Sequence, residues 1–453
     1  MNPRLVALAV LAQVEATPRR LEALLEEELA RHPRADPRDR AFTANLVYGV
    51  LRQRSWLDHL LNAFLKRPLP KLEPEVLALL RLGACEIVCL RTPDHAAVHA
   101  AVELAKARKL FRAQGLVNAS LRALARGWAS VAAPEAQADP AGHLAVVYSH
   151  PRWLVDELLD RWGWEETRAW LAADQEQPRT ALRANTPRID RAGLRVLLAP
   201  LGLEMADHPL SPESLVLAGW SGRGSAPPGQ DEGLWQRQDP GATALTHLLG
   251  VAPGQRVLDL CAGAGGKTGH LAALMAGQGE LIAVEPSPGR LRALGGNLAR
   301  LGVSCARPVQ ADGRALPAGL DPFDRILLDA PCTGLGVLGR RPDLRWRRGP
   351  ADPARLAGLQ LELALAAADL LAPGGALLYA TCTVTRAENE AVVEALLAGR
   401  PELRLEWDLQ AAGPAAGAIG PDGYFRTMPH RHACDAFFAA RLVRAPQQGD
   451  LKP

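Results

Sequence analysis

What this 453-residue chain lacks already narrows its class. It has no run of about 18 uncharged apolar residues, so no membrane-spanning helix is expected. Its opening stretch, "MNPRLVALAVLAQVEATPRR", is apolar only until Glu15, and no small-residue cleavage site follows. An amphipathic helix is expected there, not a signal peptide. Cysteine is scarce: seven residues, an odd number, with no framework spacing. That argues against a disulfide-stapled fold and favours a reducing compartment, hence the cytoplasm, as the expected location. Neither sign of charge dominates, the formal net charge being +3. The distribution is uneven, however. Residues 1–130 carry 20 Lys+Arg against 13 Asp+Glu, an excess of +7 that leaves −4 for the remainder. A basic, arginine-rich first third is compatible with a polyanionic partner, and equally with a solvated helical surface.

What is present is a long chain of ordinary composition, 48% hydrophobic and 22% charged. Its length calls for about two to four domains. Residues 1–130 read as all helix. "RLVALAVLAQVE", "RLEALLEEELARH", "RAFTANLVYGVLRQRSWLDHLLNAFL", "EPEVLALLRLGACEIVCL", "AAVHAAVELAKARKL" and "GLVNASLRALARGW" each repeat apolar residues at three- and four-residue spacing. Polar, proline-containing breaks separate them. Cys85 and Cys89 share one of these helices, and with no further Cys or His nearby to complete a ligand set they are read as core packing. A linker is expected over 127–142. A small α+β module is expected over 143–235, with helices in "HPRWLVDELLDRWG" and "EETRAWLAADQ", strands in "RTALRANT" and "SLVLAG" with a helix in "DRAGLRVLLAPLG" between them, and a loop over 221–233.

From about 236 short apolar runs alternate with helices, the rhythm of a parallel α/β sheet. Ligands of such sheets bind beyond the C-terminal strand ends. "VLDLCAGAGGKTGHLA" (257–272) is a strand, a glycine-rich turn and a helix start. It brings backbone close to a ligand and offers free N–H groups. It lacks Walker-loop spacing. Glu285 ends the next strand, where an acid accepts ribose hydroxyls. Asp312 follows, in position for an adenine amino group. With Asp259 and Asp329, four successive strand ends carry acids. That leaves no basic pocket for a pyrophosphate and favours a sulfonium nucleoside, S-adenosylmethionine, over a dinucleotide.

Two of the seven cysteines, Cys332 in "LDAPCTG" and Cys382 in "YATCTV", also stand at strand ends and face the same expected site. Beside a methyl donor, a thiolate suits pyrimidine chemistry. Its addition to carbon 6 makes carbon 5 nucleophilic. Asp329 would stabilise the adduct at N3, and Lys267 would favour the thiolate. "GRRPDLRWRR" (339–348) follows the first cysteine. Arg340, Arg341, Arg345, Arg347 and Arg348 suit phosphate contacts, and Trp346 suits base stacking.

These motifs, "LDLCAGAGGKT", "LDAPCTGLGVLGRRPDLRWRR", "YATCTVTRAENEAVV" and "TMPHRHACDAFFAARL", closely resemble those of the RNA 5-methylcytosine methyltransferases, and among them the bacterial small-subunit ribosomal RNA methyltransferase B type. "LVYGVLRQR" and "TPDHAAVHAAVELAK" are similar to the NusB-like RNA-binding domain of that subgroup. The resemblance implies a multidomain chain. It has an N-terminal all-α NusB-like bundle (1–130), the small α+β module (143–235) and a C-terminal α/β Rossmann-like class I S-adenosylmethionine-dependent methyltransferase domain (236–445). It implies Cys382 as nucleophile, Cys332 as the group that assists release, and a cofactor site of Cys261, Ala262, Gly263, Ala264, Gly265, Gly266 and Lys267 with Glu285, Asp312 and Asp329. The family usually has proline where Ala264 stands and aspartate where Glu285 stands. The implied substrate is a cytosine of 16S ribosomal RNA, naked or in an assembling small subunit. The chain is expected to be a monomer that acts on neither DNA nor membranes and holds no metal. A DNA cytosine methyltransferase has no use for the second cysteine. A binding factor with a degenerate domain does not need the intact set Lys267, Asp329, Cys332 and Cys382. A nicotinamide dehydrogenase explains neither cysteine.

Overall fold

The computed structural model of the chain describes residues 1–220, 226–316 and 319–446. Two compact units emerge. One combines Met1–Glu176 with Leu338–Pro350, and the other combines Gln177–Val337 with the chain from Ala351 onward.

The first unit is helical: Pro3–Ala16, Leu21–Ala30, Pro37–Arg52, Arg54–Phe64, Pro74–Val88, Asp94–Ala107, Gln114–Gly127, Pro140–Val147 and Arg152–Ala173. Local chemistry sets several starts. Asn2 Oδ1 accepts the Arg4 and Leu5 amides, Asp36 accepts the Arg38 amide, and a proline follows each cap. Leucines and valines at three- and four-residue spacing then meet in one core, with Leu21, Leu24, Leu46, Leu57, Leu79 and Leu121 fully buried. Cys85 is buried in that core, as its spacing implied, whereas Cys89 is exposed.

Two expectations change here. The stretch "RAFTANLVYGVLRQRSWLDHLLNAFL" reads as one helix but breaks at Gln53, where φ is −108° and ψ 14°. The restarted helix needs acceptors for its first amides, and Ser149 Oγ takes that of Ser55 at 2.9 Å. The expected module over 143–235 is also divided. The helix Arg152–Ala173, interrupted at Gly163 (φ +72°), falls in the helical unit, and the helix Arg191–Leu198 and the strands fall in the second unit.

The second unit holds two sheets. β1 (Thr180–Ala184), β2 (Glu204–His208), β3 (Ser211–Ala218) and β4 (Trp235–Arg237) form an antiparallel sheet in the order β2-β3-β1-β4. β1, β3 and the helix Arg191–Leu198 match the sequence reading, while β2 and β4 are additional. Of the loop expected over 221–233, residues 221–225 lie outside the described residues, and 226–233 form turns.

The larger sheet contains β5 (Arg256–Asp259), β6 (Glu280–Val284), β7 (Ala306–Val309), β8 (Phe323–Asp329), β9 (Leu371–Thr381), β10 (Leu403–Leu405), β11 (Phe425–Arg426) and β12 (Phe438–Arg444). Its order is β10-β12-β9-β8-β5-β6-β7, with β11 on β12. The five strands β5–β9 are parallel, as alternation with helices required. β12 runs antiparallel to β9, β10 and β11, which makes the sheet mixed. Near-continuous apolar runs such as "RILLDA" fill both faces, and Leu258, Ile326, Leu327 and Leu378 are fully buried.

The segment 338–350 overturns one reading of function. Arg345 is fully buried, not a surface contact. Its guanidinium donates to the carbonyls of Arg52 (3.0 Å), Ser149 (3.1 Å) and Asp174 (2.8 Å). Burial lowers its pKa to about 10, which leaves it charged at neutral pH. Trp346 donates its indole N–H to Leu51 O and packs on the helical core. Arg347 donates to the carbonyls of Arg19 and Val14, and Arg341 pairs with Asp343 and Glu22. Helix ends leave unpaired carbonyls, and this run of arginines satisfies several of them. The composition that resembled a phosphate-binding loop serves, at Arg345 and Trp346, to fasten the segment into the helical unit.

Replacing Arg345 by Met should therefore destabilise the helical unit by about 3–5 kcal/mol, because three buried carbonyls and Asp174 lose their donor. Denaturant unfolding followed by tryptophan fluorescence measures this. A loss under about 1 kcal/mol, the usual value for an exposed charge, would contradict the assignment.

Candidate active site

The C-terminal ends of β5, β6, β8 and β9 converge on one region of the second unit. After β5 the chain turns through 260–265 into the helix Gly266–Leu274. Gly265 adopts φ +86°, and a Cβ there would lie 2.5 Å from Leu294 Cδ1. Only glycine meets both demands. At Gly266 a Cβ would meet nothing within 4 Å, so the first helical turn faces open space. Asn297 Nδ2 donates to Ala264 O at 2.8 Å, which tethers the loop at that position. A pocket of about 270 Å³ is lined by Asp259, Cys261, Ala262, Gly263, Ala264, Gly266, Lys267 and Asp329, with Gln238 and Ala242. All of the expected cofactor loop except Gly265 thus lines one cavity.

Around that cavity the acids differ. Asp259 is buried; its Oδ2 accepts the Thr268 hydroxyl at 2.7 Å, while its Oδ1 has no partner. Burial raises its pKa to about 7. Glu285 is also buried, and its Oε1 accepts the Ser287 amide at 2.8 Å. The residue is fixed by its own turn, an arrangement that places a carboxylate at the end of β6. Asp312 is half exposed and is bonded by the Arg314 guanidinium and amide, which hold its pKa down at about 2. Burial opposes the Lys267 ammonium, but Asp329 Oδ2 at 2.7 Å and the neighbouring Cys382 outweigh it and raise its pKa.

The cysteines meet because of strand register. β8 and β9 are parallel, with Asp329 level with Ala380. Cys332 lies three residues beyond that level and Cys382 two, and their Sγ atoms are 3.3 Å apart. The thiol of Cys332 is pushed up, first by its hydrogen bond to Cys382, then by burial and by the negative charges of Cys382 and Glu388. The loop after Cys332 closes back on the second one. Gly336 N donates to Cys382 O at 2.9 Å, and a Cβ on Gly336 would lie 2.2 Å from Ala436 O. The second glycine of "CTGLG" is required by that approach.

Sequence reasoning missed the group behind both thiols. Glu388 is fully buried and accepts from Thr333, Thr383, Thr385 and Gln360. Its only signal was an acid six residues after Cys382. A further set, the buried Glu213 and His270 with the part-buried His247, has ligand atoms within 4.8 Å of one another. Glu213 is bonded by His247 at 2.9 Å and supplies the counter-charge of the buried Arg183. His270 is buried beside them, and burial lowers its pKa to about 3, so its imidazole is neutral. Among the described residues no helix is long and apolar enough to cross a membrane.

Comparison with known proteins accords with this geometry. The family pattern described as 16S rRNA methyltransferase RsmB/F matches residues 246–443. That of the NusB family matches 1–126, and that of an RsmF/B-like ferredoxin-like domain matches 150–220. Ribosomal RNA small subunit methyltransferase B of Pseudomonas syringae pv. tomato is 37% identical, over 99% of this chain and 98% of the relative. The protein of the same name from Pseudomonas putida is 37% identical over 98% and 99%. Among solved structures, NSun6 from Pyrococcus horikoshii with SFG is 26% identical with a TM-score of 0.58, covering 65% of this chain and 98% of that one. The crystal structure of PH0851 shares the fold, with a TM-score of 0.78 at 23% identity over 98% and 99%. With its NusB-type helices, its ferredoxin-like sheet and two cysteines at the strand ends of a methyltransferase sheet, the chain belongs to the RsmB/F family of S-adenosylmethionine-dependent 16S rRNA methyltransferases.

Proposed function

We propose that this protein methylates carbon 5 of a cytosine in 16S ribosomal RNA through a covalent adduct at carbon 6. The observation that carries the reading is the pair of thiols 3.3 Å apart, beside the Lys267–Asp329 ion pair. Methylation of an oxygen or an exocyclic nitrogen needs no thiol. Addition and elimination at a pyrimidine need one group that attacks and another that acts at release.

The cavity lined by Cys261–Ala264, Gly266 and Lys267 fits the sulfonium nucleoside. Asp259 offers an unpartnered oxygen, the glycine turn leaves room for a ligand against backbone, and the surrounding acids suit a cation. Glu285 would hold the ribose and Asp312 the adenine. When bound, S-adenosylmethionine supplies an electrophilic methyl group. The chain's own residues do the remainder. Cys382, with the Lys267 ammonium beside it, adds as thiolate to carbon 6 and makes carbon 5 nucleophilic. Asp329 holds the adduct at N3. Once the Cys382 sulfur is bonded to carbon, it no longer carries charge against Cys332, and Cys332 can lose its proton to water. As thiolate it takes the carbon 5 proton, the C–H electron pair forms the 5,6 double bond, and Cys382 leaves as thiolate. The net product is one proton per methyl transferred.

RNA contact is assigned to the helical unit. Residues 106–112 expose Lys106, Arg108, Lys109 and Arg112 around Phe111, which is 65% exposed. Cations interleaved with an exposed ring suit phosphate contact and stacking. Arg340 and Arg348 remain assigned to the same task. The protein is taken to act as a monomer in the cytoplasm, on RNA either naked or in an assembling subunit, and not on DNA.

Three outcomes are expected. After incubation with RNA and S-adenosylmethionine, a denaturing gel should show an RNA-shifted band for Cys332→Ala and none for Cys382→Ala. The reverse pattern would make Cys332 the nucleophile, as in the DNA enzymes. Calorimetric titration of Glu285→Ala should show cofactor affinity weakened roughly tenfold or more, and unchanged affinity would remove Glu285 from the site. Changing Lys109 and Arg112 together to Gln should reduce the log–log salt slope of RNA binding by about 1.4–1.8; an unaltered slope would place the RNA elsewhere.

A further inference from the structure

We propose that Glu388 is the positioning residue of the two-thiol site, one carboxylate that fixes both cysteine loops by binding the residue that follows each cysteine. Thr333 comes directly after Cys332. Its amide donates to Glu388 Oε1 at 2.7 Å and its hydroxyl to Oε2 at 2.5 Å. Thr383 comes directly after Cys382, and its hydroxyl donates to the same Oε2 at 3.2 Å. The two threonine hydroxyls lie 2.7 Å apart, and Thr385 adds a further donor at 2.9 Å. The residue before Cys332 is held as well. Gln360 Nε2 donates to Pro331 O at 3.0 Å and to Glu388 Oε1 at 3.1 Å. Tyr379 closes the network by donating to Gln360 Oε1 and to the Glu388 carbonyl.

Glu388, its donors Thr333, Thr383, Thr385 and Gln360, and Tyr379 are all buried, and these donors to the carboxylate are neutral. A buried carboxylate without a cation among its partners persists only where donors saturate it. Here the donors come from the Pro-Cys loop, the Thr-Cys loop and the helix Asp352–Asp369. The two loops are 50 residues apart in sequence, and backbone pairing of β8 and β9 ends before either cysteine. Beyond the last strand pair, Glu388 is the shared acceptor that keeps the loops in register. Neither neighbouring residue type replaces it. Aspartate is one methylene shorter, and glutamine presents donors where the Thr333 amide and a hydroxyl need acceptors.

The charge of Glu388 has a second effect. It works together with the Cys382 hydrogen bond and burial to keep Cys332 a thiol before attack. One negative charge is thereby shared in turn: on Cys382 first, then on Cys332 after the carbon–sulfur bond has formed. This deepens the two-cysteine reading above and rests on it.

The test uses the full chain and needs no RNA, so its failure is separable from failure of the methyl-transfer assignment, which the adduct gel decides. Diamide joins adjacent thiols, each disulfide formed reducing one diazene to the hydrazine, and peptide mapping follows the Cys332–Cys382 product apart from Cys85 and Cys89. In Glu388→Gln this closure should slow by about tenfold or more, since displacement of reacting atoms by about 1 Å has effects of that order. Thr383→Val, which keeps the carboxylate and removes one donor, should slow it in the same direction and carries the test if the Gln variant does not fold. In a Cys382→Ala background, Glu388→Gln should also move the midpoint of Cys332 alkylation by iodoacetamide to lower pH, a shift that a purely structural role does not produce. Closure at the parent rate in a folded variant would overturn the positioning role. An unmoved alkylation midpoint would overturn the electrostatic one.

Discussion

The parallel pairing of β8 with β9 is the constraint on which the site depends. Asp329 and Ala380 are level in that ladder, so the chain leaves both strands at the same height. A slip of one residue would turn every side chain of one strand to the opposite face and separate the sulfurs. Apolar residues on both faces hold the register: Ile326, Leu327 and Leu328 on β8, and Leu377, Leu378 and Tyr379 on β9, are fully buried. The chemistry of the site therefore rests on core packing one turn of chain below it. Asp329 belongs to the last level of the same strand, which is why its ion pair with Lys267 lies beside the thiols and not elsewhere on the sheet edge.

Much of this was legible in the sequence because the relevant residues violate their surroundings. Cysteine, aspartate and glycine at the ends of apolar runs stand out against leucine and valine, and parallel topology says which end matters. The cofactor loop was legible for the same reason. Gly265 and Gly336 carry backbone demands that no other residue meets, and they sit within the quoted motifs.

What escaped reading depends on contacts between distant residues. "GRRPDLRWRR" has the composition of a phosphate-binding loop, and nothing local says that Arg345 is buried among carbonyls of Arg52, Ser149 and Asp174. Burial of a charged side chain is decided by partners more than a hundred residues away. Glu388 was hidden in a helical pattern, "RAENEAVV", where an acid is ordinarily read as solvated. The break at Gln53 was invisible because the apolar period continues through it, and an acceptor for the restarted helix, the Ser149 hydroxyl, lies 94 residues away. The added antiparallel strands β10 and β11 are three and two residues long, too short for any periodicity to show.

The chain thus joins a helical unit with an excess of positive charge to a sheet whose strand ends carry the two cysteines, and 338–350 belongs to the helical unit. The central claim is that the sheet modifies carbon 5 of cytosine in the RNA. Bisulfite sequencing tests it most directly, since 5-methylcytosine resists the deamination that converts cytosine. Unmodified 16S ribosomal RNA should be incubated with S-adenosylmethionine and either the parent protein or its Cys382→Ala variant. The account predicts a cytosine that resists conversion with the parent protein and converts fully with the variant. Complete conversion with both, while methyl groups still reach the RNA, would place the modification on another atom and contradict it.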